Sequence, residues 1–480
     1  MNCTMDRSSS PAAPGAVAIF AVALLTLLAF DPLNRIVGLD PATWDYMSVS
    51  LLDGRIPYRD IFLHKTPLAA FLGGAGAALA DLLGFAPLDG AHFVFVALGA
   101  LGPALLFALI VRRAPWVAAA AAAMWMLAVD QWLIASIEGV RPKVATTAFG
   151  LAALLAADRR KVATAGVFGA LATLTWQPGV AFLAAASWSI LRDTDAARVR
   201  DTLRLGFGAA IPTALLLAFL ATVGALDDFF AQAVGFNLHY IDLHSRTPAN
   251  TVAHLFKLLI QWNTVELLFM PACVVALATS KRLLPTSLLA ASVAYLGLMF
   301  VNFQAWPDMI LLAPIIGAVV GCGLFAALTA NNVEGNVALV AVLSGCIAAA
   351  VPTSGRAHPP ITYDEQAAFI DQMVEGLGSD DSILTVSYPE LLIHTGRHSV
   401  WSWPYMWFGV DRFAEQTVGG FDAILGDLDR ERPRLMVVAR RWSGPRRRAF
   451  ERWASEYYTR TETRQYPHTV RPIVIYKLRD

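Results

Sequence analysis

From Ala12 to Val351 the chain is a series of long apolar blocks separated by short polar connectors. Many blocks approach the ~20 residues that an α-helix needs to cross a hydrocarbon core. A water-soluble domain would instead interleave apolar residues with charge at a period near 3.6 or 2. Here 56% of residues are hydrophobic and 15% are charged, and the charges gather at block ends. The expected class is a polytopic α-helical membrane protein with a small α/β domain after the last block. Formal net charge is +0, so no nucleic-acid partner is expected. Of the cysteines Cys3, Cys273, Cys322 and Cys346, three lie in apolar blocks and none in the tail, which gives no disulfide framework and no thiolate metal cluster. The first block, Ala12–Phe30, has one arginine before it and no small-residue cleavage site after it, so it reads as an uncleaved span.

Charge at the block ends predicts a topology. Arg112–Arg113, Asp158–Lys161, Arg192–Arg204 and Ser280–Arg282 are short basic connectors, which the positive-inside rule assigns to the cytoplasm. The blocks between them then pair as outward and inward spans: Ala114–Val129 with Val144–Ala157, Val162–Trp176 with Val180–Leu191, and Leu205–Val223 with Val265–Ala278. Leu283–Val301 runs out, Met309–Leu328 in and Val337–Val351 out, while Ala91–Val111 runs inward to deliver Arg112. The glycine-rich stretch Pro67–Gly84 is expected to be an interfacial or re-entrant helix within one external segment, residues 31–90. The count is about eleven spans, with a cytoplasmic N-terminus and an external C-terminus. Abundant alanine and an excess of arginine over lysine suit a GC-rich bacterial genome, and hence the bacterial cytoplasmic (inner) membrane.

The tail changes character after Val351. Pro352–Pro360 reads as a linker, so the expected domains are 1–351 and 352–480, the second extracytoplasmic. Beyond the linker, helices are expected at Tyr363–Leu377, Asp422–Leu428 and Pro445–Tyr457, and strands at Ser382–Val386, Leu435–Ala439 and Ile473–Leu478. That alternation is a small α/β layer. It contains no Gly-rich phosphate loop, nucleophile elbow or His/Cys ligand cluster, and a recognition or packing role follows.

Polar residues crowd the expected outer face. The densest stretch is Asp40–Leu68, which carries Asp40, Asp45, Asp53, Asp60, Arg55, Arg59, His64 and Lys65 between two apolar blocks. Pro41–Leu52 is predicted to form a short amphipathic helix on the membrane surface with Asp40 at or near its N-cap, and Asp45, one turn in, could face solvent. On composition alone this is an ordinary solvated loop.

The order of residues argues for more. Asp40, Tyr46, Leu51-Leu52-x-Gly54, Pro57-Tyr58-x-Asp60 and His64-Lys65-x-Pro67-Leu68 resemble the first external loop of the GT-C superfamily of glycosyltransferases. The nearest branches are bacterial relatives of protein O-mannosyltransferases and aminoarabinose transferases. The resemblance implies a GT-C-like module over residues 1–351 that moves a sugar, hexose or pentose, from a polyprenyl-phosphate donor to a hydroxyl on a glycan, lipid or protein, with inversion. It implies that Asp40, the loop's first acid, is the base. Pro41 stands where the family has a second acid, and Thr66 where it has proline. Lys65 matches the lysine that faces the lipid phosphate, and Tyr46, Tyr58, Arg59, Asp60 and His64 are carried over as substrate-facing residues. The chemistry suits the placement. A carboxylate must take the acceptor's proton, and cations must stabilise the departing phosphate at headgroup level. No cofactor is required; a divalent cation, Mg or Mn, is admitted.

Three other external features enter the expected site. In Glu138-Gly-Val-Arg141-Pro-Lys143, Lys143 stands where relatives place an acid, and Glu138, one turn before Arg141, can supply the second carboxylate. Simple snorkelling of Arg141 and Lys143 at a span end accounts for them equally well. In Trp306-Pro307-Asp308 the tryptophan reads as interface belt, while Asp308 at a span mouth calls for a partner or water. The loop Ala225–Trp262 carries His239, Tyr240, Asp242 and His244, which cover a cavity more readily than they bind metal, because no regular ligand spacing is present. Besides an enzyme, two classes stay open: a flippase or transporter of lipid-linked glycans, and a non-catalytic GT-C-like assembly protein. Spans nearly free of charge, with no internal repeat, argue against the transporter.

Overall fold

The computed structural model describes residues 12–36, 38–192, 198–238, 247–262, 274, 278, 283–302, 306–330, 362–406, 409–439, 442–464 and 472–479. The expected linker Pro352–Pro360, the span Val337–Val351 and most of Val265–Ala278 lie outside the described residues, as do Lys281, Cys3, Cys273 and Cys346.

The apolar blocks are helices. They comprise α1 (Ala12–Leu28), α4 (Pro87–Ile110), α5 (Trp116–Ala128), α6 (Asp130–Ile137), α7 (Pro142–Asp158), α8 (Val162–Thr175), α9 (Val180–Leu191) and α10 (Arg198–Thr222), then Pro248–Trp262, Thr286–Asn302 and Ala313–Ala330. Pro87–Ile110, Arg198–Thr222 and Asp308–Ala327 are each long and apolar enough to cross a membrane. The pair α5–α6 passes that test together, broken by a 65° bend. Shorter apolar helices, such as Ala13–Leu28 and Val162–Thr175, fill out a multi-pass bundle. Helix α7 packs on α4, α8 and α9, and Ala313–Ala330 packs on α5.

Both ends of α7 are marked by charge. At one end Asp158 takes Arg112 and Arg113, each at 2.5 Å, which ties the α4–α5 connector to the α7–α8 connector. At the other end, seventeen residues away, stand Arg141 and Lys143. At ~1.5 Å per residue that is roughly 25 Å, so the two charge clusters lie on opposite faces of the bundle.

Between α1 and α4 the chain forms α2 (Leu39–Ser50) and α3 (Leu68–Leu82). The glycines of α3 have a packing function: a Cβ on Gly76 or on Gly90 of α4 would run into the other's carbonyl oxygen, so the helices touch backbone to backbone.

The tail holds a four-stranded sheet of order β1-β2-β4-β3, comprising β1 (Ile383–Val386), β2 (Leu435–Ala439), β3 (Tyr458–Arg464) and β4 (Ile473–Leu478). β1 and β2 are parallel and the other pairs antiparallel, with Ile383 opposite Leu435 and Val437 opposite Ile475. The helix Tyr363–Val374 starts from a capping box between Thr362 and Glu365. The three expected strands are present; β3 and the helices Glu390–Thr395 and Val410–Val418 are additional. The sheet layer sits directly on the segment between α1 and α4. Thr362 bridges Arg35, the helix Glu390–Thr395 packs on α2, and one apolar core runs from Trp44, Tyr58 and Leu63 into Ile383, Leu391 and Val437.

Candidate active site

Helix α2 carries Asp40 to the site, starting two residues earlier than predicted. The helix begins at Leu39 with Gly38 as its N-cap, so Asp40 lies in the first turn. Pro41 permits this, because the first-turn backbone N–H groups have no intrahelical acceptor and proline merely lacks one. An acid there is favoured by the helix dipole. Nor is α2 a surface amphipathic helix. It is buried on most sides, between α3, α4 and the tail domain, with Trp44 and Tyr46 3% and 4% exposed.

The turn between α6 and α7 brings the opposing charges. Gly139, at φ +99°, reverses the chain, and Arg141 in extended conformation starts α7 with Pro142 behind it. Arg141 donates through one guanidinium nitrogen to Asp40 and through another to Glu138. Asp40 remains 58% exposed in this pairing, whereas Arg141 is 15% exposed. Beside them Lys143 Nζ meets Asp308 Oδ1 at 2.5 Å and lies 4.8 Å from the centroid of the Trp176 ring. The Tyr295 hydroxyl donates to the Asp308 carbonyl. The expected cations thus do more than snorkel.

Lys65 completes the group. Its Nζ lies 5.7 Å from the Trp44 ring centroid, and no carboxylate pairs with it among the described residues. Burial, opposed mainly by Asp40 and reinforced by Lys143, lowers its pKa. The packing around Asp40 opposes its charge although water reaches the carboxylate; Arg141, Lys65 and Lys143 outweigh that and hold it well below the usual carboxylate range. Asp40, Glu138 and Asp308 therefore face Arg141, Lys143 and Lys65, with Arg141 shared by two carboxylates, Lys143 on Asp308 and Lys65 paired with no carboxylate among the described residues.

His64 joins this cluster from the side. Its imidazole meets the Tyr405 hydroxyl, and burial and then Lys65 push its pKa down to about 3 against the pull of Asp40. Its carbonyl accepts from Gln177 of the α8–α9 junction and from Asn237 beyond α10, which fixes the 64–65 backbone.

The remaining expected site residues make contacts within and around the loop. Tyr58, at φ +74°, donates its hydroxyl to the Lys65 carbonyl at 2.7 Å, and its own carbonyl accepts from Gln232. Arg59 pairs with Asp60 at 2.7 Å and donates to Val223 O, while Asp60 accepts from Ile56 N. These bonds belong to the turn and to the end of α10, apart from the Asp40 cluster. The Tyr46 hydroxyl meets His398 Nδ1 at 3.3 Å. Asp45 is fully buried; its Oδ1 accepts from Val140 N at 2.8 Å.

Trp44, Trp176, Tyr295 and Tyr405 were not legible as site residues, since the last three lie in or beside apolar or aromatic runs indistinguishable from packing or interface belt and Trp44 carries no charge to mark it. Among the described residues no group of three or more His, Cys, Asp or Glu is arranged to hold a metal. His239, Tyr240, Asp242 and His244 lie outside the described residues.

No family model matches the chain, and no curated protein matches it. Among solved structures, ArnT from Cupriavidus metallidurans bound to undecaprenyl phosphate superposes with a TM-score of 0.63 at 14% identity, covering 96% of this chain and 97% of that one. The same protein in the apo state superposes with a TM-score of 0.62 at 14% identity, covering 97% and 98%. At that coverage the likeness takes in membrane bundle and C-terminal sheet together, and the chain shares the fold of those ArnT structures.

Proposed function

We propose that the protein is a membrane glycosyltransferase that moves a sugar from a polyprenyl-phosphate donor to a hydroxyl of a glycan, lipid or protein. The observation that carries this reading is the meeting of a water-accessible carboxylate, Asp40, with Arg141 and with Lys65, which no carboxylate pairs among the described residues, at one end of the bundle. ArnT, the structural neighbour, binds undecaprenyl phosphate, which supports a donor of that class here.

The reaction is a single displacement. The acceptor oxygen attacks the anomeric carbon while its proton passes to Asp40, and the bond from that carbon to the phosphate oxygen breaks. Negative charge grows on the departing polyprenyl phosphate, where Lys65 and Arg141 stabilise it. As the phosphate engages Arg141, the guanidinium shares its hold on Asp40, and the carboxylate becomes a stronger base. Glu138 keeps Arg141 oriented. On this reading the cluster faces the outer side of the bacterial cytoplasmic membrane, among its lipids, with the C-terminal domain extracytoplasmic.

The pairing of Asp40 with Arg141 also favours a rival reading, a lipid-glycan-binding assembly protein that does no chemistry. The test is release of polyprenyl phosphate from a panel of polyprenyl-phosphate sugars by purified protein in lipid nanodiscs, with Asp40→Asn alongside. The enzyme reading expects turnover that falls at least about a hundredfold in the variant, the usual scale for a general base. Binding without turnover across the panel would favour the assembly protein.

A further inference from the structure

The C-terminal domain reaches His64 and Lys65 through residues 398–406. This segment runs along the free edge of β1: Val400 N donates to Ile383 O at 2.9 Å, and Ser387 N donates to Pro404 O at 2.9 Å. On its other side it holds the first outer segment, since Phe62 N donates to Ser402 O at 2.8 Å. The segment is therefore a splint between the sheet and the Ile61–Lys65 strap.

Aromatic packing fixes the splint in place. The ring of Phe62 lies 4.7 Å from Trp403 and 5.9 Å from Phe413, with Phe236 against it edge-on at 5.5 Å. All of these rings are buried. Out of the same cluster Tyr405 presents its hydroxyl to His64 Nδ1, the two rings standing nearly perpendicular at 85°. A buried phenol needs a polar partner, and this one meets the residue that precedes Lys65.

We propose that the C-terminal domain completes the site: Tyr405 is a positioning residue that holds His64 and, through it, aims Lys65 at the bound anion. The hydroxyl donates to Nδ1 of a neutral imidazole, which leaves the ring proton on Nε2. The backbone of His64 is already fixed by Gln177 and Asn237, and that of Lys65 by Tyr58. The side-chain bond from Tyr405 removes the remaining freedom of the strap. The sheet layer is on this account a part of the donor site, and the inference rests on the reading of Lys65 as a phosphate ligand.

The test uses the full chain in nanodiscs with undecaprenyl phosphate as the probe. Affinity is measured for the wild type, Tyr405→Phe, His64→Gln and the double variant, with thermal unfolding of each to establish folding. Tyr405→Phe keeps the ring and its packing and should weaken binding about three- to tenfold, the scale of one neutral hydrogen bond. In the His64→Gln background the same change should add nothing, because the two act through one contact. Unchanged affinity in Tyr405→Phe, or fully additive losses in the double variant, overturns the proposal. A second arm is independent of the donor. Nitrogen NMR of histidine-labelled protein, with the His64 signals identified by their loss in His64→Gln, should show an Nε2-protonated ring that shifts in Tyr405→Phe. Should the wild type fail to bind undecaprenyl phosphate, the donor reading falls, and an unshifted His64 ring would then overturn the positioning contact as well.

Discussion

Asp45 Oδ2 and His92 Nε2 meet at 3.3 Å in the protein interior, with their side chains 0% and 4% exposed. Asp45 belongs to α2 and His92 to α4, and the other oxygen of Asp45 accepts from Val140 in the turn before α7. This one carboxylate therefore ties together the elements that bring Asp40 to Arg141. As a sequence, Asp45 is a rival to Asp40 for the role of base; burial removes it from solvent and gives it a structural task. Asp45→Ala should cost about 2–5 kcal/mol, since it strands a buried imidazole and a backbone N–H. Asp40→Ala, which removes a largely exposed partner, should cost no more than about 1 kcal/mol. Unfolding midpoints of the two variants in detergent compare them directly, and equal losses would contradict the assignment.

Gly139 is the hinge of the same contact. A Cβ there would lie 2.8 and 2.9 Å from the Asp45 carboxylate oxygens and 2.9 Å from His92 Nε2, on a backbone at φ +99°. Gly54, at φ +73°, has nothing within 4 Å of such a Cβ. Gly54→Ala should therefore cost only the left-handed backbone penalty, roughly 1–2 kcal/mol, and Gly139→Ala clearly more. Matching unfolding midpoints for the two variants would mean that the neighbours of Gly139 move aside freely.

The bundle was legible because a span is a local signal, an apolar run of sufficient length, and the buried strand Leu435–Ala439 was legible for the same reason. Strand β3 was not: Thr459–Arg464 is polar at every position, and only its pairing with β4 makes it a strand. The charged residues of the site were legible singly, by type and by their place at block ends. Their pairing was not, because Asp40 and Arg141 are 101 residues apart and Lys143 and Asp308 are 165 apart. That Arg59 and Asp60 pair with each other within one turn was not legible either, since a turn that satisfies itself has the same composition as a loop that binds substrate. The start of α2 was misplaced because Asp40 has the chemistry of a cap, while the proline after it fits the first turn equally well.

His64 gives the folded state a pH dependence of definite sign. Its folded pKa is pushed down to about 3 from an ordinary value of 6.5. Between those values the unfolded chain binds a proton that the folded chain does not, so the contribution is complete above 6.5 and is lost as pH falls towards 3. His394, pushed down to about 4 by burial, acts in the same direction. The unfolding midpoint should fall between about pH 6.5 and 4.5, and less steeply in His64→Gln. Parallel slopes for wild type and variant would show that His64 titrates normally.

The pairing of Asp158 with both Arg112 and Arg113 puts two basic connectors at one end of the bundle, opposite the Asp40 cluster. The positive-inside rule assigns that end to the cytoplasm. Single cysteines at positions 112 and 159 should resist a membrane-impermeant maleimide in intact cells, and cysteines at 138 and 53 should react. Labelling at 112 would invert the orientation and put the Asp40 cluster inside.

Lys65 and Arg59 make opposite predictions for donor binding, although both are basic residues of the same outer segment. Arg59 spends its charge on Asp60 and its remaining donor on Val223 O, and nothing in its surroundings connects it to Asp40. Lys65 lies against Trp44 within the field of Asp40, Lys143 and Arg141, and no carboxylate among the described residues neutralises it. A half-buried ammonium without a partner is costly to fold, and an incoming phosphate supplies the missing charge. Lys65→Ala should therefore weaken undecaprenyl-phosphate binding by at least about tenfold, the scale of a charge-assisted hydrogen bond, and should leave the unfolding midpoint unchanged or raised. Arg59→Ala should leave affinity within about twofold, the scale of an exposed ion pair, and, if anything, lower the midpoint slightly by freeing the turn. The reverse pattern, with affinity lost in Arg59→Ala and retained in Lys65→Ala, would move the phosphate from the Asp40 cluster to the mouth of α10.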